Sequence, residues 1–459
     1  MELKDLFLTP FYLVLLYLLA YAVRPRVTNK YTRPYFIPAL TLKFVGAIGL
    51  GLIYQFYYGG GDTFNFFSGA KGIHLAFDKS FQAGLKLLLT SGKVYDPVTA
   101  PYTAGILWYQ TGGAEYLLIR IAATLGFLCF NTYTVVGLLF ACLSFSGVWM
   151  MYITFVKYRP QLYQQLAWAV FYLPSVFFWG SGLLKDSLCL GALGWVFYAF
   201  YKGAIQKRSI VQCVIIGLLA AYLLAGLKIY ILLCFVPAAL LWVFNENNAR
   251  IKNPTARLLA KPVFFGLGLA VAFVAVTNLT KGNDQYDLNK IGERSKINSD
   301  YLYRVSVSQN GSAYNLGAQD GTVGGMVKLA PKAIGTSLFR PFLWEARNPV
   351  MLLSALEAAF FLVFTLRIFF RTGVIATIRL VAQTPLLTLC FVFALAFSAS
   401  VAISSSNFGT LVRYKIPMMP FYLAGLYILE SLARTPARPR PAAATAAARP
   451  SRPQLVPAG

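Results

Sequence analysis

IVQCVIIGLLAAYLLAGLKIYILLCFVPAALLWVFN, residues 210–245, carries one charged side chain, Lys228, in 36 residues. A helix needs about 20 mostly apolar residues to cross a bilayer. This stretch therefore reads as two crossings, 210–226 and 229–245, joined by a tight turn at Lys228. The rest of the chain agrees. It has 459 residues, 58% of them apolar and 12% charged, with a mean hydropathy of +0.60. Soluble domains run at about 45–50% apolar and about 25% charged. That excludes a cytosolic enzyme, a secreted disulfide scaffold and a disordered chain.

Nine further runs meet the same test, at 8–22, 36–57, 134–155, 163–181, 187–203, 262–278, 349–369, 383–402 and 417–432. The first has no cleavage site after it and is expected to stay as a span. The expected fold is all-α: a polytopic helical membrane protein of about eleven transmembrane helices, forming a single transmembrane domain over residues 1–432. Two long segments, 58–133 and 279–348, fall on one face and are expected to contain amphipathic helices. The run Tyr116–Phe130 (116–130) reads as a membrane-skimming helix rather than a twelfth span, because Glu115 and Arg120 lie at its start. The stretch 282–330 is rich in Gly, Asn, Ser and Asp and reads as a mobile loop able to cover a site. Its acids Asp284, Asp287, Glu293 and Asp300 read as solvated. The tail, 433–459, is Pro/Ala/Arg-rich and expected to be disordered.

Lys and Arg outnumber Asp and Glu by 41 to 16. Short loops carrying them at 24–33, 157–159, 202–208, 250–261, 367–379 and 434–440 all fall on one side if the eleven spans hold. The positive-inside rule makes that side cytoplasmic. The expectation is an integral membrane protein of a bacterial cytoplasmic membrane, its working face periplasmic. The charge excess then reflects topology and contact with anionic membrane lipids, not nucleic acid. The six cysteines sit in or beside apolar runs and read as small hydrophobes. His74 is the sole histidine and cannot build a zinc site alone.

Acids are so few that each can be weighed singly, and ionisable groups near the membrane default to functional candidates. Gly59-Gly60-Gly61-Asp62 follows the second span. Asp62 is positioned to be a general base, or a ligand for a possible divalent cation; the plainer reading is a capped glycine turn. Lys185-Asp186 lies between spans four and five: Lys185 suits a phosphate and Asp186 a hydroxyl, or else the pair anchors and N-caps span five. Arg340 and Arg347 flank Trp344-Glu345 before span nine, offering a phosphate clamp with an aromatic stacking face, or an aromatic belt with snorkelling arginines. Arg413-Tyr414-Lys415 puts two cations on a short outer loop, against the topological bias, which favours an anionic ligand. Lys228 and Tyr230 extend the same rim.

All four clusters share one face. A carboxylate, several cations and many aromatics suit an amphiphile with a phosphate head, such as a polyprenyl-phosphate-linked sugar. Arg413, Lys415, Lys185 and Arg340 would hold the donor phosphate. Trp344, Tyr414, Glu345 and Asp186 would line the substrate, and Asp62 would deprotonate the acceptor. No nucleotide-binding fingerprint is present.

This constellation resembles the GT-C superfamily of integral-membrane glycosyltransferases. Its members carry an acidic residue in the first large outer loop, as Asp62 does here. They often have an Arg-Tyr-x-x-Pro-x-x-Pro-like stretch before a late span, and Arg413-Tyr414-Lys415-Ile416-Pro417-Met418-Met419-Pro420 is similar. The likeness spans most of residues 36–432. It implies a polyprenyl-phosphate-sugar donor, an acceptor glycan, lipid or protein, and Asp62 as the matching base. Lipid-linked polysaccharide polymerases share the outer-face arginines and span number. A transporter or flippase without covalent chemistry would instead place charges midway through broken helices; Lys43 and Glu357 are the main mid-span charges.

Overall fold

The computed structural model describes residues 2–92, 95–248, 291–308 and 311–434. The described chain is helical, with one isolated bridge between Ala313 and Asn407. Among the described residues, eight helices are long and apolar enough to cross a membrane. Helix dominates because lipid offers no partner to a bare backbone N–H or C=O, and a helix satisfies nearly all of them internally. The chain is a multi-pass membrane protein. The expected span at 262–278, Asp284 and Asp287, and the tail beyond Arg434 lie outside the described residues.

In order, the helices are α1 (Leu3–Val27), α2 (Arg33–Leu52), α3 (Asp62–Lys79), α4 (Phe81–Leu89), α5 (Gly113–Gly126), α6 (Tyr133–Tyr158), α7 (Tyr163–Phe171), α8 (Pro174–Trp179) and α9 (Lys185–Ala199). Then follow α10 (Ile210–Asn248), α11 (Ile291–Ser308), α12 (Val323–Phe339), α13 (Pro349–Thr372), α14 (Val374–Gln383), α15 (Pro385–Ser405), α16 (Phe408–Tyr414) and α17 (Met419–Arg434).

The 39 residues of α10 would measure about 58 Å if straight, twice the thickness of the hydrocarbon. They are not straight: Lys228 has non-helical φ −149° and ψ 75°. Near its start, Cys213 lies against Gly203. Near its end, Trp242 stacks on Tyr201, ring planes 3° apart. Both ends therefore return to the same π-helical turn, Phe200–Ile205. The midpoint reaches Asp186 at the opposite end of α9. The two apolar runs are antiparallel legs reversing at Lys228.

Span four is broken rather than continuous. Pro174 lacks an N–H and holds Leu173 extended, at φ −68° and ψ 119°, as residues before proline usually are. Gly180-Ser181-Gly182 ends α8 after six residues. Each end of α8 meets a charge of the sign its dipole favours. The Ser175 N–H donates to Glu357 Oε1 at 2.9 Å, and its hydroxyl to Oε2. At the other end Lys43 Nζ donates to the Gly180 carbonyl at 2.6 Å, as does the Ser144 hydroxyl at 2.8 Å. Lys43 and Glu357, the mid-span charges of the sequence, are thus the caps of a broken helix.

The bundle is centred on α6 and α9. A Cβ added to Gly147 would overlap the Gly191 carbonyl, and one on Gly194 would overlap that of Gly147. The two backbones touch directly, as small residues allow between membrane helices. About 72% of the apolar window of α6 is buried, against 11% for α1, which lies on the rim.

Segment 58–133 forms α3, α4 and α5. At 14 residues, about 21 Å, α5 is too short to span; its Ile119 packs on Gly69 of α3. His74 bonds the Ala123 carbonyl at 2.7 Å across that contact. Within the stretch 282–330, expected as a loop, the described residues differ from that expectation. Residues 291–308 are helix α11, because its small polar residues recur at helical spacing. Ser295 bonds Ser404 at 2.9 Å, Asn298 donates to the Ser404 carbonyl at 2.6 Å, and Ser299 pairs with Ser406. Glu293 and Asp300 lie on its exposed side.

Candidate functional site

Asp62 opens α3 after three glycines with positive φ: 68°, 137° and 123° at Gly59, Gly60 and Gly61. Only glycine adopts such a run without strain. The loop is tied by Gly60 N–H to the Tyr54 carbonyl at 2.8 Å and Asn65 N–H to the Gly61 carbonyl at 3.0 Å. A side chain on Gly61 would press on the Tyr54 ring at 3.0 Å. Asp62 thus sits in the first turn of a helix, where the dipole favours a carboxylate.

Arg413, near the end of α16, joins three distant parts of the chain. Its Nη1 donates to Asp62 Oδ2 at 2.9 Å, and its Nε to Asp186 Oδ2 at 2.6 Å. The other Asp186 oxygen accepts from Lys228 Nζ at 2.5 Å. Lys228 also lies 4.1 Å from the centre of the Tyr414 ring. Exposure is graded along this chain of charges. The side chain of Asp186 is 2% exposed, Lys228 6%, Arg413 13% and Asp62 50%. Burial opposes the Arg413 charge, but Asp186, Tyr54, Tyr414 and Asp62 together outweigh it, raising its pKa well above the ordinary value. Next to this group, Lys185 pairs with Glu115 of α5 at 2.5 Å.

A second cluster surrounds the other cations. Arg340 pairs with Glu345, its Nε 3.1 Å from Oε2, and stands 4.9 Å over the Phe408 ring. Burial pushes the Glu345 carboxyl up; the bonds from Arg340 and the Phe342 N–H more than reverse this and hold it below its ordinary value. Lys415 is buried and donates to the Ser337 carbonyl at 3.0 Å and more weakly to that of Arg340 at 3.4 Å. Trp344 is 81% exposed and stacks on Phe342 at 4.8 Å. Arg347 donates to the Gly311 carbonyl at 3.1 Å.

The structure thus brings together Asp62, Asp186 and Arg413, with Lys185 and Tyr414 beside them. It sets Arg340, Glu345, Trp344 and Lys415 in a neighbouring group. Lys228, which reads in the sequence as one more cation on an outer rim, is instead buried and committed to Asp186. Asp186 is not the N-cap of α9; Leu184 holds that place. Tyr54 and Glu115 carry no sequence signal that would have drawn them in. The first group is electrically balanced, with two carboxylates against a guanidinium and an ammonium. Asp62 is its only half-exposed member and is the one that meets solvent. Among the described residues, no three His, Cys, Asp or Glu side chains gather as a metal would require. No protein-family model, no curated protein and no solved structure matches the chain.

Proposed function

We propose that this protein is a membrane glycosyltransferase of the GT-C type, moving a sugar from a polyprenyl-phosphate donor to an acceptor glycan, lipid or protein. The observation that carries the reading is the Asp62–Arg413 pair. It sets an accessible carboxylate beside a buried guanidinium at one end of a membrane bundle. In the reaction the acceptor oxygen attacks the anomeric carbon. Its proton passes to Asp62 as the new C–O bond forms. The bond from that carbon to the phosphate oxygen breaks, and the electron pair leaves with the lipid phosphate, whose charge Arg413 stabilises. Lys185 and Arg340 assist on the same face, and Trp344 stacks on sugar or lipid; Lys415, buried on the Ser337 and Arg340 carbonyls, acts by holding the Arg340 segment in place. A lipid-linked polysaccharide polymerase would run the same chemistry with a second lipid-linked glycan as acceptor.

We place this face on the periplasmic side of a bacterial cytoplasmic membrane, with about eleven crossings. The two legs of α10 and the broken α7–α8 each count; the run 262–278, outside the described residues, enters this total from its sequence alone. Cysteines introduced at Thr111 and Lys207, both exposed, should then label from opposite sides. Labelling from one side would overturn the topology.

The deciding experiment is the purified protein in nanodiscs with radiolabelled polyprenyl-phosphate sugars, wild type beside Asp62→Asn. Donor turnover that disappears in the variant supports the transferase. The broken span four favours a second reading, a lipid-linked sugar flippase, since transporters build their sites at such breaks. Movement of donor between leaflets without any turnover, abolished by Glu357→Gln rather than Asp62→Asn, would select it.

A further inference from the structure

Arg413 is held unequally by its two carboxylates. Asp186 grips Nε from within the bundle, almost wholly buried and itself fixed by Lys228. Asp62 meets Nη1 from outside, half exposed, at the end of three glycines in left-handed or unusual backbone. The positions where side chains would project from Gly59 and Gly60 are open space, with nothing within 4 Å. One carboxylate is therefore part of the frame, and the other is half exposed and can leave Nη1 by rotation of its own side chain. A guanidinium presents a planar fork suited to carboxylate and phosphate alike.

We infer that the Asp62 carboxylate occupies the place of the substrate's phosphate on Arg413, and that Asp186 and Lys228 are positioning residues that hold Arg413 as the receptor. This rests on the reading of the ligand as a lipid phosphate and adds an order of events to it. An arriving phosphate displaces Asp62 from Nη1. The displaced carboxylate, no longer paired with Arg413, is free to accept the proton of the acceptor hydroxyl. Acceptor activation thus waits for the donor, which limits loss of donor to water. Asp186 cannot be displaced in the same way, because leaving would strand Lys228 as a buried, unpaired charge.

The test is binding of decaprenyl phosphate to the full chain in nanodiscs of neutral lipid. If the carboxylate competes with the phosphate, Asp62→Asn binds about tenfold more tightly than wild type, although it has lost a charged residue of the site. The double variant Asp62→Asn/Arg413→Gln loses that gain and falls below wild type. Asp186→Asn, where it folds, weakens binding at least tenfold. Wild-type binding with Asp62→Asn unchanged or weaker would overturn the exchange while leaving phosphate recognition in place. Binding by neither protein, with both folded, would overturn the lipid-phosphate reading and the exchange together.

Discussion

At one end of the bundle a single arginine serves two acids; at the other a single acid serves three arginines. Around Arg413 the partners are Asp62 and Asp186, and Asp186 and Arg413 are nearly dry. Around Glu430 the partners are Arg434 at 2.6 Å, Arg367 at 3.4 Å and Arg371 at 3.8 Å, each more than half exposed. The residue types are the same, but the solvent is not. Exposed pairs are screened and contribute about 0–1 kcal/mol. A buried pair broken on one side leaves a charge with no partner and costs about 3–5 kcal/mol. The first cluster fixes geometry, whereas the second gives that end of the molecule an excess of positive charge.

This contrast can be broken by substitution. Lys228→Met removes one of the two cations on the buried Asp186 and leaves it to Arg413 alone; it is expected to lower stability by about 3 kcal/mol, read by unfolding in detergent. Glu357→Gln weakens the N-terminal cap of α8 and is expected to cost about 1.5–3 kcal/mol, the range of a charge-assisted bond. Pairing it with Lys43→Met should give less than the sum of the two single losses, since both act on one short helix. Arg367→Ala should shift stability by less than about 1 kcal/mol, and that shift should shrink with added salt. A loss at Arg367 as large as that at Lys228 would erase the distinction. The smallest effect concerns acid. The Glu345 carboxyl lies below its ordinary value of 4.5 when folded. Its contribution is therefore complete above about pH 4.5 and fades as pH falls through the lower folded value. Glu345→Gln should remove that part of the acid sensitivity and leave stability at pH 7 to 8 without slope from this group.

The apolar runs were readable as helices because lipid leaves the backbone no alternative. Even the reversal at Lys228 could be seen as one charge in 36 residues. The break in span four was written in Pro174, Gly180 and Gly182, but run-counting weighs hydropathy and passes over such punctuation. Helix α11 was hidden for the opposite reason. Ser295 and Ser299 read as loop residues by type, while their spacing presents one polar face to Ser404 and Ser406. The site was legible as a set of residues and not as an arrangement. The sequence gives no sign that Asp62 and Asp186 share one partner, since that arginine lies 351 and 227 positions further along the chain. Nothing local marks such a partner. Lys228 was misread for the same reason: a cation in a turn looks solvated until the acid it meets is known.

The glycine seam between α6 and α9 has a mechanical consequence. A Cβ added to Gly191 would lie 2.9 Å from the Ser144 Cα, so at this seam no side chain separates the two helices. Sliding one past the other would drive backbone into backbone. Any rearrangement of the bundle that keeps this contact falls to the elements around the pair. Probes placed on α6 and α9 are therefore expected to keep a constant separation whether or not a ligand is added, giving a fixed ruler for distances to the rest of the molecule.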